Sequence, residues 1–214
     1  MSVERATGLI LRTRPLTETS LIVHWLTPES GRLATVARGA LRPKSPFRGK
    51  LDLFYAADFS FQRSRRSTLH ALREVSLRET HPALRNDFQR LRLASYAVHL
   101  IELVSEEETP VPELFALLAV LLAALDGQPA EPTLLLAFEL QLLAASGLQP
   151  DFADSRLGEG SQKAAGMLLR LELTSASQLK LSPAQTTEIR HFLTGFLTYH
   201  LGRIPRGRTE ALAG

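Results

Sequence analysis

The chain has 214 residues, of which 44% are apolar and 22% charged, a composition that favours one or two globular domains and argues against intrinsic disorder. It contains no cysteine, which excludes disulfides, thiolate zinc sites and cysteine nucleophiles. The net charge of +3 is unevenly distributed, because residues 1–79 hold fourteen Lys and Arg against seven Asp and Glu, whereas residues 80–214 hold eleven against fifteen. The basic first part favours a polyanionic partner.

Five strands are predicted in the first eighty residues, at 7–13, 21–27, 31–37, 51–62 and 68–79. The fourth strand alternates most clearly, so we expect Tyr55, Phe59 and Phe61 to share a core-facing side with Leu51 and Leu53. Phe54 falls on the opposite face, which makes it the stacking candidate of that strand. Short strands without helices of crossover length between them favour a small closed barrel.

From about Thr80 the apolar period becomes helical, and helices are predicted at 81–104, 112–126, 132–146, 161–172 and 182–201. Ser182 and Gln185 have the spacing of a capping box at the start of the last helix. The tail from Gly202 is expected to be frayed. The fold class is therefore α+β multidomain, with a barrel domain over residues 1–80 and an all-α helical domain over residues 81–214.

Signals for a membrane protein or a secreted protein are missing from the sequence. The longest apolar run, at 114–125, is shorter than the roughly 18 residues that a membrane span needs. The start of the chain lacks the pattern of a signal or transit peptide. We therefore expect a cytoplasmic protein without a membrane partner.

Motifs for catalysis are also missing. The segment 39–45 resembles a phosphate-binding loop in spacing, but Pro43 stands where that loop needs a glycine N–H. The six histidines form no metal-binding motif; His99 and Glu102 lie one helical turn apart, and ordinary surface or packing roles are expected for them. The sequence therefore predicts a protein that is not an enzyme and has no cofactor or metal.

The basic loop, defined here as residues 38–50, is the strongest functional signal. It carries five cations, two prolines and no acidic residue. Cations spread along a proline-stiffened segment suit the phosphates of a single strand, and an aromatic ring among them suits base stacking. Further cations of the predicted barrel could extend the surface, although a charged loop that is simply solvated is the alternative. The candidate nucleic-acid-binding residues are Arg38, Arg42, Lys44, Phe47, Arg48 and Lys50 in the loop, Arg63, Arg65 and Arg66 in the next turn, and Arg12, Arg14 and Arg32.

Three stretches together carry a family resemblance: "GLILRTRPLTETSLIVHWLTPESGRLATVARGALRPKSPF" (8–47), "HPALRNDFQRLRLASYAVHLIELV" (81–104) and "LLLAFELQLLAASGLQPDF" (134–152). The chain resembles the RecO family of bacterial DNA repair proteins, most specifically in the pattern of residues 31–45. The resemblance implies an N-terminal OB-fold, a helical C-terminal domain and no bond-breaking activity. It also assigns DNA contact to Arg38, Arg42, Lys44 and Arg48.

The resemblance implies partners as well. Members of the family bind single- and double-stranded DNA, anneal complementary strands and act with RecR to help load RecA onto DNA coated by single-strand-binding protein (SSB), whose acidic C-terminal tail they also dock. It further implies association with the nucleoid. One departure concerns the four-cysteine zinc insertion of many members, because this chain has no cysteine there and we expect a loop at 150–160 in its place. A shorter polar segment with Gly158, Gly160 and Gly166 replaces the insertion, and metal binding at that site is excluded.

Two other functions remain open from the residues alone. A protein-interaction adaptor would use the basic loop to bind acidic peptide tails, and nucleic acid would be incidental. An RNA-binding barrel would depend on the 2′-hydroxyl. Because OB-folds serve all of these uses, the fold does not decide among them, and only the resemblance favours DNA.

Overall fold

The computed structural model describes residues 3–153 and 155–213, which form two compact units. The first unit comprises residues 1–81 and 105–116, and the second comprises residues 82–104 and 117–214. The first unit therefore takes in a segment from within the region that the sequence predicts to be helical.

Five strands of the first unit form a closed barrel. They are β1 (Val3–Pro15), β2 (Leu21–Thr27), β3 (Gly31–Ala37), β4 (Ala56–Gln62) and β5 (Leu69–Glu79). The strand order is β1-β2-β3-β5-β4, and β4 pairs back with β1. All neighbours are antiparallel except β3 and β5, which are parallel. This arrangement confirms the predicted five-stranded OB-type barrel, which closure leaves without exposed strand edges.

Aromatic rings fill the interior of the barrel. Trp25 stacks on Phe59 with ring centroids 4.0 Å apart, and Phe61 lies next to Phe59. The indole Nε1 of Trp25 donates to the hydroxyl of Thr35 at 2.8 Å, so the one polar atom of the ring is satisfied. Tyr55 packs against the same core, as the alternation of strand four predicts.

The fourth strand is shorter than predicted, and this changes the environment of Phe54. The strand begins at Ala56, and Phe54 precedes it with a φ of 66° and only 3% exposure. Its N–H donates to the carbonyl of Ile10 at 2.9 Å, and its carbonyl accepts a bond from His81 Nδ1 at 2.8 Å. Phe54 is thus a buried anchor between elements, and its assignment as an exposed stacking residue is wrong.

Residues 105–116 are tied to the start of β3. The N–H of Glu108 donates to the carbonyl of Arg32 at 2.9 Å, and the N–H of Val111 donates to the carbonyl of Pro28 at 3.0 Å. Gly31 faces this segment with a φ of +59°, and a Cβ on Gly31 would lie 1.9 Å from the carbonyl oxygen of Thr109. Only glycine allows the segment to approach the barrel this closely.

The helices follow the predicted pattern with small changes at their ends. They are α1 (Ala83–Asn86), α2 (Phe88–Val104), α3 (Pro112–Gly127), α4 (Pro132–Ala145), α5 (Glu159–Arg170), α6 (Leu173–Ala176), α7 (Pro183–Leu201) and α8 (Arg208–Ala211). The capping box of Ser182 and Gln185 is present at the start of α7. From Leu134 to Leu140 every residue of α4 is buried, so this helix is central to the second unit.

The tail is ordered by a buried ion pair, so the prediction that it frays is wrong. Arg208 Nε and Nη2 donate to the two carboxylate oxygens of Glu139 at 2.6 and 2.7 Å, and the Tyr96 hydroxyl donates to Glu139 at 2.7 Å. Burial alone would lower the pKa of Arg208, but its bonds to Glu139 raise it. Burial and the Glu139 carboxylate raise the pKa of Tyr96. A sequence pattern does not reveal a contact between residues 69 positions apart.

The cysteine-free segment is also more regular than expected. Helix α5 begins at Glu159, so Gly160 and Gly166 lie within a helix, and only the part before it is a loop. The N–H of Gly158 donates to the carboxylate of Glu188 at 3.0 Å. The Ser161 hydroxyl and then this N–H lower the pKa of Glu188. Asp154 belongs to the same segment and lies outside the described residues.

Within the described parts of the chain, no helix has both the length and the hydropathy required to cross a membrane.

Replacing Gly31 by Ala is expected to destabilise the barrel more than replacing Gly49. Both glycines have a positive φ, so either change costs about 1 kcal/mol in backbone strain. The added methyl group has open space at Gly49 but meets the Thr109 carbonyl at Gly31, which adds about 1–3 kcal/mol. Urea unfolding followed by the fluorescence of Trp25, the single tryptophan, measures both costs. Equal costs would contradict the close approach of residues 105–116.

Candidate nucleic-acid interface

The barrel places its loops at two opposite ends. Strands β1 and β3 are both antiparallel to β2, so the β1–β2 loop (16–20) and the basic loop, which follows β3, leave from the same end, called here the upper end. Because β5 is parallel to β3, with Leu69 opposite Ala34, the loop 63–68 that leads into β5 lies at the other, lower end. The predicted cations are therefore divided between two surfaces.

The basic loop is a series of hydrogen-bonded turns. The N–H groups of Arg42, Ser45, Arg48 and Lys50 each donate to the carbonyl three residues earlier, at 3.0 to 3.2 Å. Two further bonds join it to the β1–β2 loop, from the N–H of Leu41 to the carbonyl of Thr19 at 2.9 Å and from the N–H of Gly39 to the Ser20 hydroxyl at 3.3 Å. The loop is thus a defined platform.

Phe47 anchors this platform to the barrel. Its side chain is 6% exposed and belongs to the same core cluster as Trp25 and Phe59, together with Ala40 from the loop. Phe47 therefore has no exposed ring for base stacking, and that expectation is corrected by its burial. Lys50 is also held at the barrel, because its Nζ donates to the carbonyl of Val75 at 3.1 Å.

Four cations of the loop point to solvent. Arg38, Arg42, Lys44 and Arg48 are exposed, and no carboxylate of residues 3–153 or 155–213 forms an ion pair with them. Within the described part of the chain, their side chains form one hydrogen bond, from Arg48 Nη1 to the carbonyl of Pro43 at 3.3 Å. Their charge is therefore available to an external anion. Arg12 and Arg14 are exposed near the upper end of β1.

Next to this loop lies a cleft of about 430 Å³, which sequence reasoning missed and which is called here the polar cleft for its hydrogen-bonding side chains, although Leu16 and Val36 also line it. Arg38 and Arg42 line it together with Thr17, Thr19 and Ser20 of the β1–β2 loop. Guanidinium and hydroxyl groups are the usual donors to phosphate oxygens. The hydroxyl residues carry no charge and stand some twenty positions before the basic loop, so only the folded strand order brings them to it.

Two of the predicted cations at the lower end, Arg63 and Arg32, bind groups of the protein itself. Arg63 Nε donates to Glu4 Oε1 at 2.8 Å, and Arg63 Nη1 lies 3.0 Å from Glu108 Oε1. Glu108 also binds His70 Nε2 at 2.9 Å, so this network joins residues 105–116 to the barrel. Arg32 Nε and Nη2 donate to the carbonyl of Ser105 at 3.1 and 2.9 Å. The side chains of Arg63 and Arg32 therefore stabilise the first unit.

Arg65 and Arg66 are exposed, but they lie at the lower end, away from the basic loop. The expectation that the turn at 63–66 continues the surface of the basic loop is thus corrected by the parallel pairing of β3 and β5. Nucleic-acid contact by Arg65 and Arg66, and by Arg12 and Arg14, stays a prediction.

The Arg63 network also shifts pKa values. The hydrogen bond from Arg63 lowers the pKa of Glu4, and the same bond raises the pKa of Arg63. Elsewhere on the barrel, the hydrogen bonds from Arg78 and then from Thr7 lower the pKa of Asp58. These carboxylates are therefore ionised partners of cations at neutral pH.

The parallel β3–β5 pair within a closed five-stranded barrel defines an OB-type domain, and a helical unit follows it. The family model described as Recombination protein O N terminal matches residues 1–81, and Recombination protein O C terminal matches residues 85–158. These two matches cover both the barrel and the start of the helical region.

Curated relatives agree with the family models. The chain is 34% identical over 237 aligned positions to the DNA repair protein RecO of Anaeromyxobacter dehalogenans (strain 2CP-1 / ATCC BAA-258), covering 95% of this chain and 93% of that protein. It is 37% identical over 154 positions to the DNA repair protein RecO of Myxococcus xanthus (strain DK1622), covering 72% and 63%. The RecO of Desulforamulus reducens is 26% identical, covering 94% and 91%. The chain belongs to the RecO family and has a role in DNA repair and recombination.

Phe47→Leu is expected to leave both barrel stability and DNA affinity nearly unchanged, whereas Phe47→Ala is expected to cost about 3 kcal/mol of unfolding free energy. Leucine retains most of the buried apolar volume that anchors the loop, and alanine leaves a cavity. Trp25 fluorescence in urea gives the stability, and titration of a labelled single-stranded oligonucleotide gives the affinity. A large loss of affinity in the stable Phe47→Leu variant would restore the stacking role.

Glu4→Gln is expected to weaken the barrel at neutral pH and to have no effect at strongly acid pH. The pKa of Glu4 lies below its ordinary value of 4.5, so its bond to Arg63 stabilises the fold above that value and is lost as the pH falls further. Both groups are about one-third exposed, so the difference should stay below about 1 kcal/mol. Urea unfolding at a series of pH values from 7 downward measures it, with the exposed Glu18→Gln as control. A difference that does not shrink as the pH falls below 4.5 would contradict the role of the carboxylate charge.

Proposed function

We propose that this protein binds single- and double-stranded DNA through the upper end of its barrel and anneals complementary strands. The observation that carries the proposal is a set of four exposed cations, Arg38, Arg42, Lys44 and Arg48, which form no ion pair with any described residue and stand on an ordered loop anchored in the core. Membership of the RecO family supports DNA as the polyanion.

Annealing follows from neutralisation of charge. Two DNA strands repel each other through their phosphates, and a cationic surface that holds both strands lowers this repulsion. Contacts to phosphate carry no sequence information, which suits a protein that must act on any pair of complementary strands. Because the loop is held by hydrogen bonds before DNA arrives, little ordering cost remains on binding.

The proposal includes the partners that the family resemblance implies. In this view the protein acts with RecR, docks the acidic C-terminal tail of SSB and helps to load RecA onto SSB-coated DNA in association with the nucleoid. The two-unit architecture supports a division in which the barrel holds DNA and the helical unit receives protein partners. The domain boundary near residues 80 and 81 belongs to the same proposal.

Replacing Arg38, Arg42, Lys44 and Arg48 together by Ala should weaken DNA binding and reduce its salt dependence. Each phosphate contact to a single strand contributes about 0.7 to the slope of log affinity against log salt concentration, so loss of four contacts lowers the slope by about 3. Fluorescence anisotropy of a labelled oligonucleotide over a salt series measures the slope. An annealing assay on the same variant should show a slower rate than the unmodified protein.

Arg65→Ala with Arg66→Ala is the matched control, since these exposed arginines lie at the lower end of the same barrel. It should retain most of the salt slope. An unchanged slope in the fourfold variant, with loss in the control, would place the interface at the lower end. Weak DNA binding together with tight binding of an acidic peptide would instead favour the adaptor function.

A further inference from the structure

A second, apolar cleft of about 400 Å³ borders the basic loop. Its apolar lining comes from Leu21, Ala40, Leu41, Phe47 and Leu51. Arg42 and Arg48 also line it, and among the described lining residues they are the ones whose side chains can donate hydrogen bonds. The cleft is therefore suited to a flat apolar group attached to something negatively charged.

Arg42 lines both clefts and so separates an apolar compartment from a polar one. Its side chain crosses Gly39, where an added Cβ would lie 3.4 Å from the Arg42 Cδ. Leu41, whose side chain is 52% exposed, belongs to the apolar cleft, and Thr17 and Thr19 belong to the polar cleft. An apolar cleft and a cleft with guanidinium and hydroxyl donors thus adjoin at Arg42.

A nucleic-acid strand has the same alternation, because each base is a flat, largely apolar ring and each linkage is a charged phosphate. We infer that the apolar cleft receives a nucleobase of the bound strand, while Arg38, Arg42 and the hydroxyls of the polar cleft hold neighbouring phosphates. This inference rests on the proposed DNA-binding function and names the group that fills one part of that site.

The lining favours a base of any type. Guanidinium planes stack on bases, and apolar side chains contact every base face equally. Apart from Arg42 and Arg48, the lining side chains have no donor or acceptor that could read a base edge. The bond from Arg48 Nη1 to the Pro43 carbonyl holds one guanidinium of the lining before the base enters. The cleft therefore strengthens binding without selecting a sequence.

The test compares two labelled oligonucleotides of equal length, one of deoxythymidine and one in which abasic residues replace every nucleoside. Both present the same phosphates to the protein, so their salt slopes should agree. The base-containing strand should bind about tenfold more tightly at any one salt concentration, because only it fills the apolar cleft.

Leu41→Ala removes an exposed wall of the apolar cleft with little risk to the fold. It should remove most of the tenfold preference for the base-containing strand and leave the affinity for the abasic strand unchanged. Val3→Ala is the matched control, because Val3 is also an exposed apolar residue of the barrel but lies opposite Gln62 at the lower end, outside both clefts. The control should retain the preference.

The remaining outcomes of the binding experiment distinguish failure of the base-binding inference from failure of the proposed function. Equal affinity for the two strands, with a normal salt slope, would overturn the base-binding inference and leave the proposed function standing. Absence of salt-dependent binding to either strand would remove the proposed function itself. A Leu41→Ala variant that weakens both strands equally would show loop damage and overturn the inference. Displacement of the deoxythymidine strand by an acidic peptide with an apolar side chain, without a base preference, would assign the cleft to a protein partner.

Discussion

Closure of the barrel is the constraint on which the rest of the first unit depends. Because β4 returns to pair with β1 and β3 pairs in parallel with β5, the direction of every strand is determined, and with it the end at which each loop emerges. The antiparallel pairing of β1 and β3 with β2 places the β1–β2 loop beside Arg38 and Arg42, and the parallel pairing of β5 with β3 sends Arg65 and Arg66 to the far end. Cations that form one basic region in the sequence therefore lie on two separate surfaces of the barrel.

Concentrating cations on one loop has a cost, since like charges repel and gain nothing from each other. Apolar and backbone contacts, which do not depend on charge, stabilise the loop against this repulsion. Phe47 and Ala40 bury in the barrel core, and successive turns hold the backbone between them. The lower end offers a contrast, because Arg63 is held by Glu4 and Glu108 and its charge serves the fold. Whether an arginine is available for an external anion thus depends on the carboxylates that the fold brings near it.

Local patterns in the sequence predicted most of the architecture. Alternation identified the strands, and Pro, Gly and the Ser182 capping box identified helix ends, because these signals depend on neighbours in the chain. The failures all involve distant contacts. Phe47 and Phe54 look exposed among charged or alternating residues, but Phe47 packs in the barrel core and Phe54 is buried and donates its N–H to the carbonyl of Ile10. Arg208 looks like part of a loose tail until Glu139 is placed beside it. The charge of the basic loop was readable from sequence; both clefts beside it required the fold.

The proposed annealing function places opposite demands on the binding surface. The strand must be held firmly enough to oppose its repulsion from a second strand, yet the Watson–Crick edges must stay free to pair. Phosphate contacts meet the second demand, because they leave the base edges untouched. An apolar cleft of about 400 Å³ has room for only a short part of a strand, so it can restrain the strand at one point while the flanking bases remain open. An extended row of stacking aromatic rings would bind the strand more tightly, but it would occupy the bases that have to pair. Phe47 and Phe54 are buried, so neither ring can contribute to such a row.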